Sequence, residues 1–419
     1  MDVVCDTLMV EEILPRLPPK SLVRLSAASR RYNALALRPD FAARYWQRAG
    51  VFVQPDEEEK PKIPFFLTVS DVEAANLGFV ADLTFLPDSG LVIAHSAAGL
   101  LLCYNYNNGI NPTHLYVCNP VTRQWVALPE LSPLSSSYWF GLLTVVGGTR
   151  FQVVIVTWPL HDLVVFSSDT SLWEARQILL PPYFCDYYTL DVSPVLGQSG
   201  TSYWIQPDED KAIVYNSTSA AHNYSIQVIN LPPQYIIGCE QNRCLGEPHG
   251  GGGGGLGLRY THANDSVFEV WESEVVGFEW KQRDKVSIAV LMELNPEAAT
   301  FLRNGDPAAG SSLHGAFTPL GFHPTDDDVI FVALPGAVFA YSIGHRTLNL
   351  LQRTHELESA TPADVFPYVH PAYPVQIPPV KNSSIRQESR TKRGSIEVPV
   401  NEGIEQRKRL RDQACSQDS

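Results

Sequence analysis

The sequence predicts a small all-α N-terminal module followed by a large all-β domain, a β-propeller of six or seven four-stranded blades. Three observations lead to this prediction. Helical periodicity is confined to residues 6–48. From residue 63 to 378, short runs of Val, Ile, Leu, Phe and Tyr are separated by turn residues, which is typical of strands. Within that region one turn pattern recurs at a constant spacing, which indicates one supersecondary unit per repeat.

Length and composition suit this division. The chain has 419 residues, of which 44% are hydrophobic and 10% aromatic, so a sizeable core can form. A short module plus a domain of about 300 residues fits the usual size range of domains. We therefore predict a helical module at 1–50, a linker at 51–62, the β domain at 63–378 and a disordered polar tail at 379–419.

The N-terminal module is predicted to contain three to four short helices. Asp6 is placed to cap the first helix, and Pro19 to begin the second. Ser29 is placed to cap a third helix that ends before Pro39, and a fourth is expected at 40–48. Because so short a module cannot bury enough surface to be stable alone, its surplus apolar face must contact another domain or another protein.

A known motif runs through this module. Residues 6–25 read DTLMVEEILPRLPPKSLVRL, followed by Ser-Arg-Arg-Tyr at 29–32, Pro39 and Phe41. This segment resembles an F-box, whose pattern contains Glu-Ile-Leu, Leu-Pro and Lys-Ser-Leu with a following Arg. It departs from the pattern in lacking a Leu-Pro pair before Asp6 and in having Tyr32 where Trp is usual.

The F-box resemblance implies a contact role. F-boxes bind a Skp-family adaptor, which links them to a cullin and a RING subunit. Full burial of a large apolar side chain contributes about 1.5–3 kcal/mol, so two or three interface anchors offset the cost of association. By position in the motif, the residues that would face the adaptor or the module's own core are Leu8, Ile13, Leu14, Leu17, Pro18, Leu22, Leu25 and Tyr32.

The recurring turn defines the predicted repeat of the β domain. The first copy, Asn-Pro-Val-Thr-Arg-Gln-Trp, includes Asn119, Thr122 and Trp125; Thr170 and Trp173 stand 48 residues later, and Thr218 stands 48 residues after Thr170. In such turns Asn, Asp or Ser bonds its own backbone, and the Trp packs just beyond. Looser copies occur at 271–280 and 341–350, and the clearest strands are expected at 151–156, 163–166 and 329–334. Several such units favour a propeller, with a pair of packed sheets as the alternative.

The same region resembles the F-box-associated domain of plant F-box proteins. The resemblance rests on Gly-Leu-Leu at 99–101, Asn-Pro-x-Thr-x-x-Trp at 119–125, Tyr-Trp at 203–204 and Gly-Phe-His-Pro at 321–324. It implies that this domain, or a kelch-like propeller close to it, holds a target protein. Together the two resemblances imply the substrate-recognition subunit of an SCF-type cullin–RING E3 ubiquitin ligase, a non-catalytic protein without a cofactor.

Charge and targeting signals narrow the class of partner. Between the N-terminal 50 residues and residue 381, the chain holds 14 basic and 34 acidic residues. Such a field repels phosphate, so we expect no nucleic-acid partner and favour a basic partner surface. The N-terminus lacks the basic and apolar pattern of a targeting peptide, no window suits a membrane span, and the seven cysteines are scattered. We expect a cytoplasmic or nuclear protein without a membrane partner.

Candidate chemical sites are few. Cys239, Cys244, His249 and His262 are zinc-ligand types, but their spacing does not fit a paired site. The glycine run at 250–255 lacks the Gly-Lys-Ser/Thr ending of a phosphate-binding loop. We therefore predict neither a metal nor a nucleotide, and interpret the glycine run as a flexible insertion.

Two alternatives to the ligase hypothesis remain open at this point. A glycosidase-like propeller enzyme with a helical cap is one, because residues 167–171 are similar to a sialidase turn, although Ser171 stands where that turn has Gly. Asp326, Asp327 and Asp328 could gather a cation, although an exposed acidic loop is the ordinary interpretation. An F-box scaffold acting outside a ligase is the other alternative. The basic run at 407–411 is a candidate nuclear import signal.

Overall fold

The computed structural model is mostly β-sheet with few helices. The predicted helix at 40–48 (apart from Phe41), the glycine run and the tail at 379–419 lie outside the residues that it describes. Those residues are 5–14, 17, 19–36, 38, 41, 49–54, 63–69, 83–105, 114–130, 138–146, 150–158, 162–177, 195–196, 201–205, 210–216, 226–232, 242–248, 257–264, 266–273, 279–304, 317–353, 365–369 and 377.

Three short helices form the described N-terminal part. Helix α1 (Asp6–Leu8) continues directly into a π-helical turn (Met9–Ile13), and α2 (Pro19–Ala28) and α3 (Arg30–Ala36) follow. The predicted cap at Asp6 is wrong, because Cys5 occupies that position and Asp6 is already helical. The Asp6 carboxylate instead accepts a hydrogen bond from Arg31, with an Oδ1–Nη2 distance of 2.5 Å. An ion pair with α3 thus takes the place of the cap.

Twenty-three strands follow in the described residues. They are β1 (Ala49–Val53), β2 (Phe65–Leu67), β3 (Leu91–Ala97), β4 (Leu100–Asn105), β5 (Leu115–Asn119), β6 (Gln124–Ala127), β7 (Tyr138–Val146), β8 (Arg150–Trp158), β9 (Asp162–Ser167), β10 (Leu172–Gln177), β11 (Val195–Leu196), β12 (Thr201–Ile205), β13 (Lys211–Asn216), β14 (Ile226–Asn230), β15 (Arg243–Gly246), β16 (Leu258–Ala263), β17 (Val267–Ser273), β18 (Lys281–Ser287), β19 (Thr318–Phe322), β20 (Val329–Leu334), β21 (Ala337–Ser342), β22 (Thr347–Arg353) and β23 (Val365–Val369).

The described strands form six small antiparallel sheets. Five sheets contain four strands each, in chain order β3–β6, β7–β10, β11–β14, β15–β18 and β19–β22. The sixth has the order β2-β1-β23 and so combines both ends of the β domain. The first strands of neighbouring sheets contact one another: β3 contacts β7, β11 contacts β15, and β15 contacts β19. Strand β23 of the sixth sheet contacts both β19 and β3. This arrangement differs from the two packed sheets of a sandwich.

The sixth sheet, which we call the closing sheet, corrects a domain boundary. Strand β1 pairs with β23 from Ala49 opposite Val369 to Val53 opposite Val365. The sequence predicts residues 49–50 in the helical module and 51–53 in the linker, and the pairing with β23 shows that both assignments are wrong. The reason is that β1 is specified by a partner at the far end of the chain, which local periodicity does not reveal.

Aromatic packing and a glycine hold the closing sheet. The rings of Phe52 and Tyr368 meet edge to face with centroids 5.2 Å apart, and Phe66 lies 5.2 Å from Phe52. The Tyr368 hydroxyl donates to the carbonyl of Gly99 in the neighbouring sheet at 3.3 Å. A Cβ at Gly50 would lie 2.1 Å from the Leu67 carbonyl oxygen, so only glycine allows β1 and β2 to approach this closely.

Buried polar side chains connect the closing sheet to the next two sheets. Gln54 donates to the Leu91 carbonyl at 2.8 Å and accepts from the Ile93 amide at 2.7 Å. His95, beside a bulge in β3, accepts a hydrogen bond through Nδ1 from the Leu143 amide in β7 at 3.3 Å. Complete burial lowers the pKa of His95 to about 3. The imidazole is therefore neutral at physiological pH, as this hydrogen bond requires.

Three of the turns between third and fourth strands share one backbone geometry. In each, an amide donates to the carbonyl four residues earlier: Arg123 to Asn119, Ser171 to Ser167, and Arg346 to Ser342, at 2.8–2.9 Å. The donor residue has a positive φ of 58°, 60° and 53°, respectively. Asn119 Oδ1 also accepts from the amides of residues 121 and 122. The repeat recognised in the sequence thus corresponds to one turn conformation, although Thr218 lies outside the described residues.

Two tryptophans near the start of fourth strands connect adjacent sheets. The indole Nε1 of Trp173 donates to the Pro129 carbonyl, just beyond β6, at 2.9 Å. Trp280, one residue before β18, donates to the Asn230 carbonyl at the end of β14 at 2.8 Å. The aromatic ring covers apolar area while its N–H satisfies a carbonyl of the preceding sheet.

Two helices in the β domain were missed by the sequence analysis. They are α4 (Ile288–Leu294) and α5 (Pro296–Asn304), which follow β18 and precede β19. Leu291 is fully buried, and Phe301 packs against Phe339 with ring centroids 5.4 Å apart. The sequence does contain a signal for these helices. Asn295-Pro296-Glu297 is typical of a helix start, and on each side of it apolar residues recur at spacings of three and four.

The His95 imidazole predicts a pH-dependent stability. Because its folded pKa is depressed, the unfolded chain binds the extra proton, and stability falls as pH drops below about 6.5. One such residue contributes about 1.4 kcal/mol per pH unit between about 6.5 and 4. Thermal unfolding of His95→Asn, which keeps an acceptor, should show a shallower pH dependence than the wild type. The exposed His345→Asn is the control, and an unchanged slope in His95→Asn would contradict this role.

The contacts around Gly50 predict that a side chain at this position destabilises the β domain. Gly50→Ala should destabilise the β domain by about 1–3 kcal/mol, because a methyl group there collides with the backbone of β2. Gly321→Ala is the matched control, since its Cβ would meet only Val365 Cγ1 at 3.8 Å, an ordinary contact. Chemical denaturation of both variants measures the difference, and equal midpoints would refute the argument.

Candidate functional site

The described N-terminal helices build a small core of their own. The π-helical turn, α2 and α3 each contribute apolar side chains to it. Its buried members are Met9, Val10, Leu14, Leu22, Leu35, Ala36 and Phe41, with Leu17, Leu25 and Tyr32 partly buried against them.

The structure divides the eight predicted contact residues into three groups. Leu14 and Leu22 have no exposed area and belong to the core. Leu8 is 50% and Ile13 is 37% exposed, so neither side chain is buried in this core. Leu17, Leu25 and Tyr32 lie at the edge of the core, while Pro18 is outside the described residues. We call Leu8 and Ile13 the exposed apolar pair.

Charged residues are close in sequence to the exposed apolar pair, and one ion pair connects α1 to α3. Glu11 and Glu12 are exposed beside it. Arg31 binds Asp6 from α3, and its guanidinium also lies 5.9 Å from the Tyr32 ring centroid. The hydrogen bond with Asp6 raises the pKa of Arg31, so the guanidinium stays protonated over the physiological range. Exposed apolar side chains with charged neighbours are suited to a protein partner.

In the β domain, the three acids once considered for a cation are engaged in structural contacts. Asp328 accepts from the Gly344 amide at 2.8 Å and from the Ser342 hydroxyl at 2.6 Å. Asp326 accepts from the Asp328 amide at 2.9 Å, and Asp327 pairs with Arg259 at 3.2 Å. These carboxylates hold their own loop rather than forming a binding site.

Arg259 is the most deeply buried charged residue in the described part of the chain, and sequence reasoning missed it. Its side chain is 1% exposed, and it donates to the carbonyls of Glu247 and His323 at 2.9 and 3.3 Å. The guanidinium also stacks 4.5 Å from the Phe322 ring centroid. Burial lowers the pKa of Arg259, and the Asp327 carboxylate opposes that effect. No local sequence signal marks this residue, because His323, Phe322 and Asp327 belong to the next sheet and its turn, and Glu247 is 12 residues away.

The zinc-ligand types do not converge in the described residues. Cys244 is paired with Thr261, and His262 with Arg243, so the two side chains lie on opposite faces of one sheet. Burial raises the pKa of the Cys244 thiol, which disfavours the thiolate that binds metal. Cys239 and His249 are outside the described residues. Within the described part of the chain, no group of three or more His, Cys, Asp or Glu side chains is placed to hold a metal.

None of the described helices has the length and apolar character needed to cross a bilayer.

The division between core and exposed residues predicts different effects of truncation. Leu14→Ala should destabilise the N-terminal helices by about 2–5 kcal/mol, because it leaves a cavity in a small core. Leu8→Ala should change their stability by less than about 0.5 kcal/mol, since Leu8 is half exposed. Hydrogen exchange of residues 5–36 in the full chain measures both, and equal protection in the two variants would contradict the assignment.

Comparison with known proteins finds one family model that matches most of the β domain, and relatives that are named F-box proteins. The model of the family "F-box protein At3g26010-like, beta-propeller" matches residues 78–337. F-box protein At5g03970 from Arabidopsis thaliana is 28% identical over 69% of this chain and 71% of that protein. F-box only protein 6 from the same plant is 23% identical over 66% of this chain and 57% of that protein.

Solved structures add little to this comparison. A crystal structure of a protein from Lactobacillus plantarum is 12% identical, with a TM-score of 0.36, over 77% of this chain and 98% of that one. A TM-score this low carries no argument about function. The family match extends over more than half of the chain and coincides with four of the six sheets together with parts of the fifth. The chain therefore belongs to the F-box protein At3g26010-like beta-propeller family.

Proposed function

We propose that this protein is the substrate-recognition subunit of an SCF-type cullin–RING E3 ubiquitin ligase. Its N-terminal helices bind a Skp-family adaptor, and its β domain holds a target protein. Membership of a family of F-box proteins supports the first part of this proposal. The relatives from Arabidopsis thaliana are likewise named F-box proteins.

The observation that carries the proposal is the exposed apolar pair. Leu8 and Ile13 lie on helices that already bury Leu14 and Leu22 in their own core, so the pair is not needed to complete that core. Burying two such side chains against a partner contributes about 3–6 kcal/mol, a useful share of the cost of association. An adaptor surface that covers them would also complete a module too small to be stable alone.

The proposed mechanism is proximity rather than catalysis. A target held by the β domain is brought near the ubiquitin-charged enzyme that the ligase carries, which raises the effective concentration of its lysines. The protein itself acts as a non-catalytic link, with no cofactor in the proposed role. We infer six blades for the β domain, because five described sheets have four strands and the closing sheet joins both chain ends.

We further propose that the protein works in the cytoplasm or nucleus, where its ligase partners would act. The basic run at 407–411 is our candidate import signal. A fluorescent fusion of the full chain, compared with one in which residues 407–411 are replaced by alanine, tests this. Loss of nuclear signal in the second fusion supports the candidate, and an unchanged distribution removes it.

The adaptor contact is tested by charge substitution in the exposed apolar pair. The full chain with Leu8→Glu and Ile13→Glu should lose at least about tenfold in co-purified Skp-family adaptor, because each carboxylate would need to be desolvated. The control carries Leu172→Glu and Leu294→Glu, at positions that are 60% and 58% exposed in the β domain. The control should keep full adaptor binding. Retention of the adaptor by the first variant would remove Leu8 and Ile13 from the interface.

A scaffold role outside a ligase makes a different prediction for the target. In a ligase, the target's half-life is shorter when the protein is present and lengthens with the Leu8→Glu and Ile13→Glu variant. In a scaffold, neither change alters the half-life. Pulse-chase measurement of a target identified by proximity labelling distinguishes the two roles.

A further inference from the structure

We propose that an extended, lysine-containing segment of the target binds beside Trp125 and Asp88, on the face of the β3–β6 sheet that is directed at the closing sheet. This inference rests on the proposed function and adds to it a docking position and the chemistry of the bound segment. It follows from a comparison of three tryptophans at similar places in the sheets and from the hydrogen bonds around Asp88.

Trp125 and Trp173 occupy the same position in neighbouring sheets. Each is the second residue of a fourth strand, β6 or β10. Trp125 is paired with Cys118 and Trp173 with Phe166, in each case the second-last residue of the third strand. Cys118 packs with residues of the closing sheet, and Phe166 packs with residues of the β3–β6 sheet. Each indole therefore lies on the face directed at the preceding sheet.

The hydrogen bonds of the indole N–H groups differ. As described above, Trp173 and Trp280 each donate to a carbonyl at or just beyond the end of the fourth strand of the preceding sheet. In the described part of the chain, no group accepts a hydrogen bond from Nε1 of Trp125, and this residue is 39% exposed. Trp125 therefore has an indole donor that the fold does not use.

The composition of the closing sheet explains this difference. It precedes the β3–β6 sheet, and its described strands are β2, β1 and β23, so the fourth strand that would carry the acceptor is not among them. A tryptophan N–H in a packed environment usually finds an acceptor. A carbonyl from a bound peptide can take the place that Pro129 has for Trp173.

Asp88 supplies the second polar atom of this surface. Its Oδ2 accepts from the Tyr116 hydroxyl at 2.7 Å and from Asn105 Nδ2 at 3.1 Å, and lies 3.0 Å from His114 Nδ1. Its Oδ1 has no hydrogen bond in the described residues, and the side chain is 25% exposed. Burial opposes ionisation of Asp88, but hydrogen bonds from Tyr116, His114 and Asn105 lower its pKa overall. Asp88 is thus a fixed carboxylate with one available oxygen.

Tyr116 connects the two polar atoms. Its ring meets that of Trp125 edge to face, with centroids 5.7 Å apart, and its hydroxyl bonds Asp88 at the other end. The half-exposed His114 ring lies 6.3 Å from the Tyr116 ring. Residues two apart in an extended peptide are separated by about 6–7 Å, which is close to the length of a tyrosine side chain. One short extended segment can therefore contact both Trp125 and Asp88, which we call the Trp125–Asp88 site.

The chemistry of the site favours lysine as the recognised side chain. An ionised oxygen attracts a cation, and an exposed tryptophan ring adds a cation–π contact. A guanidinium binds best to both oxygens of a carboxylate, whereas an ammonium is a point charge that needs only one. Because Oδ2 of Asp88 is already used by three neighbours, the site suits an ammonium. The Trp125 donor adds a main-chain contact of the kind that extended peptides make with sheets.

The probe is the acetylated and amidated peptide Val-Thr-Lys-Val-Thr, which has a high propensity for the extended conformation. Saturation-transfer difference NMR with the full chain measures its affinity at low and high salt. Binding should weaken with salt. Replacing the lysine by glutamine should weaken binding by at least about fivefold, and replacing it by arginine should also weaken it. No binding of the lysine peptide, or equal binding of the glutamine peptide, would overturn the proposal; equal binding of the arginine peptide would overturn the preference for lysine.

Two tryptophan variants give a crossed test of the site. Trp125→Phe keeps a ring but removes the donor, so it should weaken peptide binding about fivefold and leave the thermal midpoint unchanged. Trp173→Phe removes a bond within the fold, so it should lower the thermal midpoint and keep peptide affinity within about twofold. If both variants bind the peptide equally, Trp125 is not part of the site.

Asp88→Asn tests the charge and should weaken binding about tenfold, because a charged acceptor is lost. Asp169→Asn, at an exposed acid in the β9–β10 turn, is the control and should bind like the wild type. Equal weakening in the two variants would mean that only net charge matters and would refute the site. Thermal unfolding checks the fold of Asp88→Asn, and Trp125→Phe keeps the proposal testable if that variant is unstable.

Another occupant of the site gives a distinct outcome. If another segment of this chain supplies the carbonyl, Trp125→Phe should lower the thermal midpoint as Trp173→Phe does, and the peptide should not bind; that result removes the site. The assay contains no adaptor, so its outcome is separate from that of the proposed function. If adaptor binding fails while peptide binding holds, the ligase role is lost and the Trp125–Asp88 site stands.

Discussion

Pairing of β1 with β23 is the constraint on which the rest of the β domain depends. It joins strands from opposite ends of the domain, so the pair closes a chain segment that contains the other five described sheets. The entropy of closing so long a loop has to be offset by burial, which the ring contacts of Phe52, Phe66 and Tyr368 supply. Gly50 permits the close approach of β2 that completes this packing. Because the N-terminal helices lead into β1, the proposed adaptor-binding module is anchored at the same closure.

Between sheets, polar side chains give each contact a defined geometry that apolar packing alone would not. His95, Trp173, Trp280 and Arg259 each bond a backbone group of an adjacent sheet or loop. Burying such groups is costly unless they are paired, so a wrong relative position of two sheets would leave them unsatisfied. These bonds therefore favour one arrangement of the sheets. The acids at 326–328 are also used structurally. The sequence suggested an exposed acidic loop, but their carboxylates bond to backbone and side-chain groups of the protein.

The N-terminal helices show how one motif serves two purposes. Leu14 and Leu22 stabilise the module, while Leu8 and Ile13 remain at the surface. All four were predicted from their positions in the same F-box-like motif, so the motif alone does not separate core from contact residues. The separation matters for experiments, because substitution of a core residue and substitution of a surface residue would both abolish adaptor binding, yet only the second would report on the interface.

The sequence by itself determined the order of a helical part and a β part, and the strands at 151–156, 163–166 and 329–334 fall within β8, β9 and β20. It also determined the repeated turn, because turn chemistry is local: Asn119 bonds amides two and three residues away. The tertiary structure decided what depends on distant partners. Those features are β1 in the closing sheet, buried Arg259, and the exposure of Leu8 and Ile13. A short-range pattern specifies dihedral angles and which residues are apolar, but only the packed chain specifies which surfaces meet.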